Sequence, residues 1–252
     1  MAFTEAQRAV TRSGLAASRE FGFALAGSGA LIEHGIVSRP SDDADWFSTV
    51  EHAESFDAAI AAVTSRLEAD GFVVTPIRQE GTFFQFEART TTGEVVEVDM
   101  SLDWRRYNPA EISIGPVLDI QDAAAAKVGT IYSRGEARDF IDLWFIRKSE
   151  LWTDTELFAM AHDRDEGIDV TQFLAGLKAA DKYGDAAFVR YGLSSGEIDD
   201  VRKSTRDFGT SISPLDLAEI ALPDHSGDVH VRSHNRDGSG VRHYWRSRPT
   251  RS

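Results

Sequence analysis

The chain has 252 residues, of which 42% are hydrophobic and 27% are charged, and it contains no cysteine. This composition is typical of a globular protein with one large domain or two modest ones, and it excludes disulfides, thiolate zinc sites and cysteine nucleophiles. A formal charge of −14 argues against a protein that grips a long stretch of nucleic acid, because such proteins present a broad cationic face.

The N-terminal region predicts a helix, a strand and a second helix. Residues 4–19 have apolar residues at helical spacing, and residues 21–26 form a short apolar run that is typical of a buried strand. The second helix is predicted to begin just after Gly27-Ser28 and to end at Gly35.

A third helix and a group of strands follow. Residues 55–69 repeat apolar side chains at helical spacing, and residues 72–77 predict a strand. Residues 82–89 and 95–100 predict a hairpin closed around Thr92-Gly93. Alternation in this hairpin places Glu97 and Asp99 on the face opposite two apolar rows, formed by Phe84, Phe86 and Ala88 on one strand and by Val96, Val98 and Met100 on the other.

From Asp119 onward the pattern becomes helical. Helices are predicted over residues 119–133, 137–148, 154–162, 170–180 and 194–208. A part with mixed strands and helices therefore precedes a helical half, with the division near Gly115-Pro116. We expect an α/β core over residues 1–116, a helical domain that completes the active site over 117–222, and a basic tail over 223–252.

The tail is basic, with six Arg against one Asp in residues 229–252, and it contains a weak repeat in which residues 231–236 match 241–246. Such a segment is typical of a solvated, flexible extension. The alternative is a basic arm with aromatic residues that contacts phosphate and stacks bases.

No segment has the pattern of a targeting or membrane sequence. Glu5 and Arg8 interrupt any apolar run of a secretory signal, and no run approaches the ~20 apolar residues that span a bilayer. We therefore expect a cytoplasmic protein without a membrane partner.

Two local patterns suggest chemistry on a nucleotide. A turn at Gly27-Ser28 would let backbone N–H groups approach a triphosphate, and Asp43 and Asp45 on one strand would point to the same face, where they could bind divalent cations. An Asx-rich turn over residues 40–43 is the alternative for the aspartates. A second Asp-x-Asp pair, Asp163 and Asp165, lies in a charged stretch that predicts a solvated turn between helices.

Binding of two metal ions usually requires a third carboxylate from a neighbouring strand. Alternation in the hairpin allows either Asp99 or Glu97, and we favour Asp99 because it lies nearer the strand end; a solvated outer face is the alternative for both. Lys127 could neutralise a triphosphate, although on such a helix a lysine more often extends its ammonium into water.

A charged cluster opens the following helix. Asp139 and Asp142 share a helical face, where they could pair with Arg134, Arg138 or Lys127. A structural network of ion pairs is the alternative to a catalytic role.

Four segments, in this order, closely resemble the AbiEii/AbiGii and MenT nucleotidyltransferase toxins of the DNA polymerase β-like superfamily. The segments are residues 23–35 (FALAGSGALIEHG), 39–47 (RPSDDADWF) and 96–99 (VEVD), and Lys127 with residues 134–143 (RGEARDFIDL). Four blocks in the family's order are more specific than any single block.

The resemblance implies an α+β fold, in which a mixed sheet with flanking helices is followed by a helical C-terminal half. It also implies metal-dependent transfer of NMP from NTP to an RNA end, which is the tRNA acceptor in MenT-like members, and a partner antitoxin. Relatives that modify proteins or small molecules, and a catalytically idle protein that binds a nucleotide or an antitoxin, are the alternatives.

The resemblance also implies roles for individual residues. Asp43, Asp45 and Asp99 would bind metal, with two Mg²⁺ ions expected. The remaining family positions would contact the nucleotide or complete the active site, and they correspond to Gly27, Ser28, Lys127, Arg138 and Asp139. The chain departs from the family at Ala44, where an aliphatic residue is usual, and at Ser28, where many members have a second glycine.

Overall fold

The computed structural model describes residues 3–212 and, beyond them, four short strands in the tail. These strands form two antiparallel pairs. Asp228–Val231 pairs with Tyr244–Ser247, and His234–Arg236 pairs with Ser239–Val241. The rest of the predicted tail over 223–252, including any role of its side chains, lies outside the described residues.

The N-terminal part of the chain alternates helices with the strands of one sheet. Its helices are α1 (Glu5–Ser18), α2 (Gly27–Glu33) and α3 (Phe56–Ala69), with 3-10 turns at Arg19–Phe21 and Val50–Ser55. Its strands are β1 (Ala24–Leu25), β2 (Asp43–Ser48), β3 (Val73–Glu80), β4 (Phe83–Arg89), β5 (Val95–Leu102), β6 (Ala110–Ile112) and β7 (Gly115–Val117).

The C-terminal part of the described chain is helical. Its helices are α4 (Ile120–Ser133), α5 (Ala137–Lys148), α6 (Asp154–Arg164), α7 (Val170–Leu177), α8 (Ala186–Val189) and α9 (Ser195–Ile212), with a 3-10 turn at Lys178–Lys182. Three aromatic rings form part of their core: Phe173 lies edge-on to Phe158 and to Phe208, with ring centroids 5.2 and 6.0 Å apart.

The sheet has seven strands in the order β3-β4-β5-β2-β1-β7-β6. The pairs β2–β5 and β1–β7 are parallel and the remaining pairs are antiparallel, which confirms the predicted mixed sheet. Edge strand β3 contains Pro76 at a shift of register. A proline and an irregular register both discourage a further strand from adding to an edge.

Helix α1 begins where its capping residues dictate. The Thr4 hydroxyl accepts a hydrogen bond from the Gln7 N–H, and the Gln7 side chain accepts one from the Thr4 N–H. The helix then lies so close to β2 that a Cβ atom at Gly14 would overlap the ring of Trp46. The absence of a side chain at Gly14 is therefore what allows α1 to cover this face of the sheet.

The predicted hairpin is confirmed, and its two apolar rows have the predicted facing. Phe84 pairs with Met100 and Phe86 with Val98, and all four side chains are buried. Trp46 of β2 adds to the same apolar face, with its ring 5.9 Å from that of Phe86. Core packing is thus confined to one face of β4, β5 and β2.

Several expectations about elements were wrong. Residues 19–21 form a 3-10 turn that ends at Gly22 with φ +71°, so β1 contains only two residues of the predicted strand over 21–26. Asp163 lies in the last turn of α6 rather than in a loop, because the helix continues to Arg164 and is capped at Asp165. The Asp165 carboxylate accepts a hydrogen bond from the Gly167 N–H and so starts the turn.

The chain divides into two compact units. The first comprises Met1–Glu33 and Arg39–Ala123, and the second comprises His34–Ser38 and the chain from Ala124 onward. Across the described residues, none of the helices combines the length and apolar character needed to cross a membrane.

Candidate active site

Asp45 and Asp99 are direct register partners on the adjacent parallel strands β2 and β5, and Asp43 is paired in the same way with Glu97. Adjacent strands lie about 4.8 Å apart, and residues in register point to the same face. The four carboxylates therefore share one face of the sheet within the first unit.

Buried neighbours fix the direction of these side chains. Ala44 and Trp46 on β2 and Val98 and Met100 on β5 are completely buried on the apolar face. Because side chains alternate along a strand, Asp45 and Asp99 must lie on the opposite face. Asp43 begins β2, so it belongs to the strand and not to the turn that was the alternative.

The glycine turn lies directly against Asp45. The Ala26 N–H donates to the Asp45 carbonyl oxygen at 2.7 Å, and a Cβ atom at Gly27 would overlap Oδ2 of the Asp45 carboxylate. Gly27 has φ +55°, a conformation that favours glycine. The predicted turn at Gly27-Ser28 is thus the first part of α2, and it borders the carboxylate face.

Buried polar contacts hold the segment that leads into β2. The Arg39 guanidinium donates through Nη2 to the Ser28 hydroxyl at 2.6 Å and through Nη1 to the Pro40 carbonyl at 2.7 Å. Next along the chain, the Ser41 carbonyl accepts from the Gln7 side chain at 2.9 Å, and the Ser41 hydroxyl lies 3.4 Å from Oδ1 of Asp43. No local sequence pattern indicates a role for Arg39, because its partner Ser28 lies 11 residues away, in the first turn of α2.

Negative charges interact on this face. Burial raises the pKa of Glu97, and the charges of Asp99 and Asp43 raise it further. The Glu97 carboxylate accepts a hydrogen bond from the Gln85 side chain at 2.9 Å. A cation bound among these groups would relieve the repulsion between them.

The donor set fits a hard divalent cation, because Mg²⁺ prefers carboxylate oxygens. In residues 3–212, no group of three His, Cys, Asp or Glu side chains is already arranged to hold a metal ion. The backbone brings the donors onto one face of the sheet.

The other predicted site residues belong to the second unit. Lys127 and Asp142 are buried, and their Nζ and Oδ2 atoms are 3.2 Å apart; Lys127 Nζ is also 3.9 Å from Oδ1 of Asp139. Arg134 donates two hydrogen bonds to Asp139, at 2.8 and 2.9 Å. The predicted alternative of an ion-pair network is therefore present at these positions.

Asp139 also has a structural role at the start of α5. Its carboxylate accepts a hydrogen bond from the Glu136 N–H at 3.0 Å, as in a capping box. Burial alone would raise the pKa of Asp139, but the hydrogen bonds and charge of Arg134 and the charge of Lys127 hold it below its ordinary value. Arg138 pairs with Glu136 at 2.9 Å.

The chain matches one family in sequence. The family model described as "Nucleotidyl transferase AbiEii toxin, Type IV TA system" matches residues 16–220. Among the curated proteins, none matches the chain.

Solved structures are similar in fold at low sequence identity. A candidate nucleotidyltransferase from H. pylori has a TM-score of 0.52 and 15% identity, over 85% of this chain and 99% of that one. JHP933 from Helicobacter pylori has a TM-score of 0.52 and 13% identity, over 84% and 95%. MenT4, a nucleotidyltransferase toxin from Mycobacterium tuberculosis, has a TM-score of 0.49 and 18% identity, over 83% of each chain.

Proposed function

The chain belongs to the AbiEii family of nucleotidyltransferase toxins, and from this premise we propose that it transfers NMP from an NTP to the 3′ end of an RNA, with the tRNA acceptor end as its substrate. The observation that carries the proposal is the register of Asp45 with Asp99 beside the Gly27 turn. This arrangement brings acidic groups from two chain segments to the edge of a glycine turn.

In the proposed reaction, the ribose 3′ oxygen attacks the α-phosphorus of the NTP. The bond from that phosphorus to the oxygen bridging toward the β-phosphate breaks, and pyrophosphate leaves with the electron pair. Asp99 orients the attacking hydroxyl and accepts its proton, while the turn at Gly27 and Ser28 holds the phosphates.

Asp43, Asp45 and Asp99 are the residues that would hold divalent cations, with two Mg²⁺ ions proposed. Bound Mg²⁺ would neutralise triphosphate charge and lower the pKa of the attacking hydroxyl. Lys127 and Arg138 are proposed to assist nucleotide binding, and Asp139 is proposed as a further polar site residue. Their observed ion pairs are also compatible with a purely structural role.

The acceptor is proposed to be a short RNA end because the chain is acidic, with a formal charge of −14. Proteins that bind long stretches of nucleic acid neutralise many phosphates, which requires many cationic side chains. A cognate antitoxin, as expected in this toxin family, and a cytoplasmic location complete the proposal.

The test is incubation of the full chain with Mg²⁺, each labelled NTP in turn, and total tRNA. We expect label on tRNA with the wild type and its loss in Asp45→Asn. Asp163→Asn is the matched control, because it removes the charge from the other Asp-x-Asp pair, at the end of α6, and should label tRNA normally. Label on protein or on a small molecule, or no label with any NTP, would overturn the proposal.

A further inference from the structure

Arg39 occupies an unusual position for an arginine, because only 2% of its surface is exposed. Charged side chains are rarely buried unless they are hydrogen-bonded to specific partners. The partners of Arg39 include the hydroxyl of Ser28 and the carbonyl of Pro40, at 2.6 and 2.7 Å. The buried guanidinium of Arg39 therefore lies in contact with Ser28, in the turn that borders Asp45.

The contact with Ser28 determines what that hydroxyl can do. A guanidinium only donates hydrogen bonds, so the Ser28 oxygen is the acceptor in this pair. With its oxygen accepting from Arg39, the Ser28 hydroxyl can approach a phosphate oxygen only as a donor, and a phosphate oxygen is an acceptor. The charge of Arg39 also strengthens that donor, since hydrogen bonds polarise one another in a low dielectric.

Arg39 further links two parts of the site along the chain. It contacts Ser28 on α2, and the residue that follows Pro40 is Ser41, whose hydroxyl lies 3.4 Å from Oδ1 of Asp43. The segment 39–41 therefore connects the turn at the start of α2 with the first carboxylate of β2. A change in the position of Arg39 would move both.

We propose that Arg39 is a positioning residue for the nucleotide, which holds Ser28 as a hydrogen-bond donor to a phosphate and supplies a buried positive charge behind it. This inference rests on the proposed nucleotide site and adds a residue to it. Lysine would be an incomplete substitute, because its ammonium is a single point charge and lacks the fork that reaches Ser28 and Pro40 together.

The test is titration of the full chain with each of the four NTPs in Mg²⁺, comparing dissociation constants of the wild type, Arg39→Lys, Arg39→Met and Ser28→Ala. Hydrogen bonds to charged groups predict about a tenfold weaker affinity for Arg39→Met and for Ser28→Ala, with a smaller loss for Arg39→Lys. Because Ser28 and Arg39 are in direct contact, the loss of affinity in the double variant should be smaller than the sum of the two single losses.

Kinetics provide a readout that a merely structural role would not move. In Arg39→Lys the KM for the NTP should rise while kcat changes less, whereas a loss of folded protein lowers the apparent kcat and leaves the KM unchanged. Arg19→Met is the matched control, because Arg19 also makes a short contact through its guanidinium, 2.7 Å to Glu111, but its side chain is exposed. It should bind each NTP as the wild type does.

The outcomes separate this inference from the proposed function. Unchanged affinity in Arg39→Lys and Ser28→Ala, or fully additive losses in the double variant, would overturn the role of Arg39 while transfer to tRNA could still be observed. If Arg39→Met does not fold, unchanged affinity in Ser28→Ala alone would overturn it. If the wild type binds no NTP, the proposed function and this inference both fail.

Discussion

Asp45 and Asp99 face each other across the parallel pair β2–β5, with the turn at Gly27 against the Asp45 carboxylate. The two residues are brought together by a strand order in which β5 follows β4 in an antiparallel hairpin and then pairs with β2. Two adjacent negative charges repel each other, and a cation bound between them would relieve that repulsion.

Removal of one charge from this pair should reduce activity without reducing stability. We expect Asp45→Asn to lower the rate of nucleotidyl transfer by at least about a hundredfold, because amide oxygens bind divalent cations more weakly than carboxylates do. The melting temperature in the absence of metal should stay equal or rise, because repulsion with Asp99 is relieved. A fall in both quantities would contradict this account.

A pair of variants can decide whether Asp99 or Glu97 is the third carboxylate that binds metal. Asp99 is in register with Asp45, whereas Glu97 is in register with Asp43 and accepts a hydrogen bond from Gln85. We expect Asp99→Asn to lose about a hundredfold in transfer rate and Glu97→Gln to lose less than about threefold. The reverse ranking would make Glu97 the third ligand.

The turn at Gly27 should not tolerate a side chain. Gly27→Ala would place a methyl group on the Asp45 carboxylate and would hold alanine at φ +55°. We expect it to cost about 1–3 kcal/mol in the free energy of unfolding and to abolish transfer. Gly93→Ala is the matched control, because Gly93 has φ +89° with open space around it, and it should lose stability without losing activity.

The buried ion pairs of Lys127 predict a large stability effect. Lys127→Met leaves Asp142 and Asp139 without the nearby ammonium, and breaking a buried pair costs about 3–5 kcal/mol in denaturant unfolding. Adding Asp142→Asn to this variant should recover part of the loss. Lys203→Met, which removes an exposed pair with Asp207, should change stability by less than about 1 kcal/mol. Equal changes in the free energy of unfolding for Lys127→Met and Lys203→Met would contradict a stabilising role for the buried ion pairs of Lys127.

Asp119 should give the fold a dependence on pH. Burial raises the pKa of Asp119 to about 6, and the charge of Asp122 adds to this rise. An acid with a higher pKa in the folded state destabilises the fold as pH increases from about 4 to about 6. Asp119→Asn retains an oxygen for the Gln121 N–H, so thermal melts should show a larger gain relative to wild type at pH 7 than at pH 4. Equal gains in melting temperature at both pH values would argue against a raised pKa of Asp119 in the folded protein.

Local patterns predicted much of the fold. The hairpin β4–β5 was predicted with its correct facing, because alternation of Phe84, Phe86, Val98 and Met100 determines which side is buried. Helix α5 has the predicted bounds. Strands β6 and β7 were missed because each has only three residues and they form by pairing with each other, while β7 also pairs with β1 through Val117 and Leu25.

The shared face of Asp43 and Asp45 was predictable because both lie on one strand, whereas contacts between residues distant in sequence were not. The contact between Arg39 and Ser28 spans helix α2, and no local pattern indicates it. The partners of Lys127 likewise depend on how α4 and α5 pack within the second unit. Such contacts are set by tertiary packing and not by spacing along the chain.

The central claim is tested most directly by locating a cation in crystals of the full chain grown with Mn²⁺ and a non-hydrolysable NTP. Anomalous scattering should place manganese between the carboxylates of Asp45 and Asp99, with the phosphates at the turn formed by Gly27 and Ser28. Bound nucleotide with manganese at other residues, and none in contact with Asp45 or Asp99, would contradict the account.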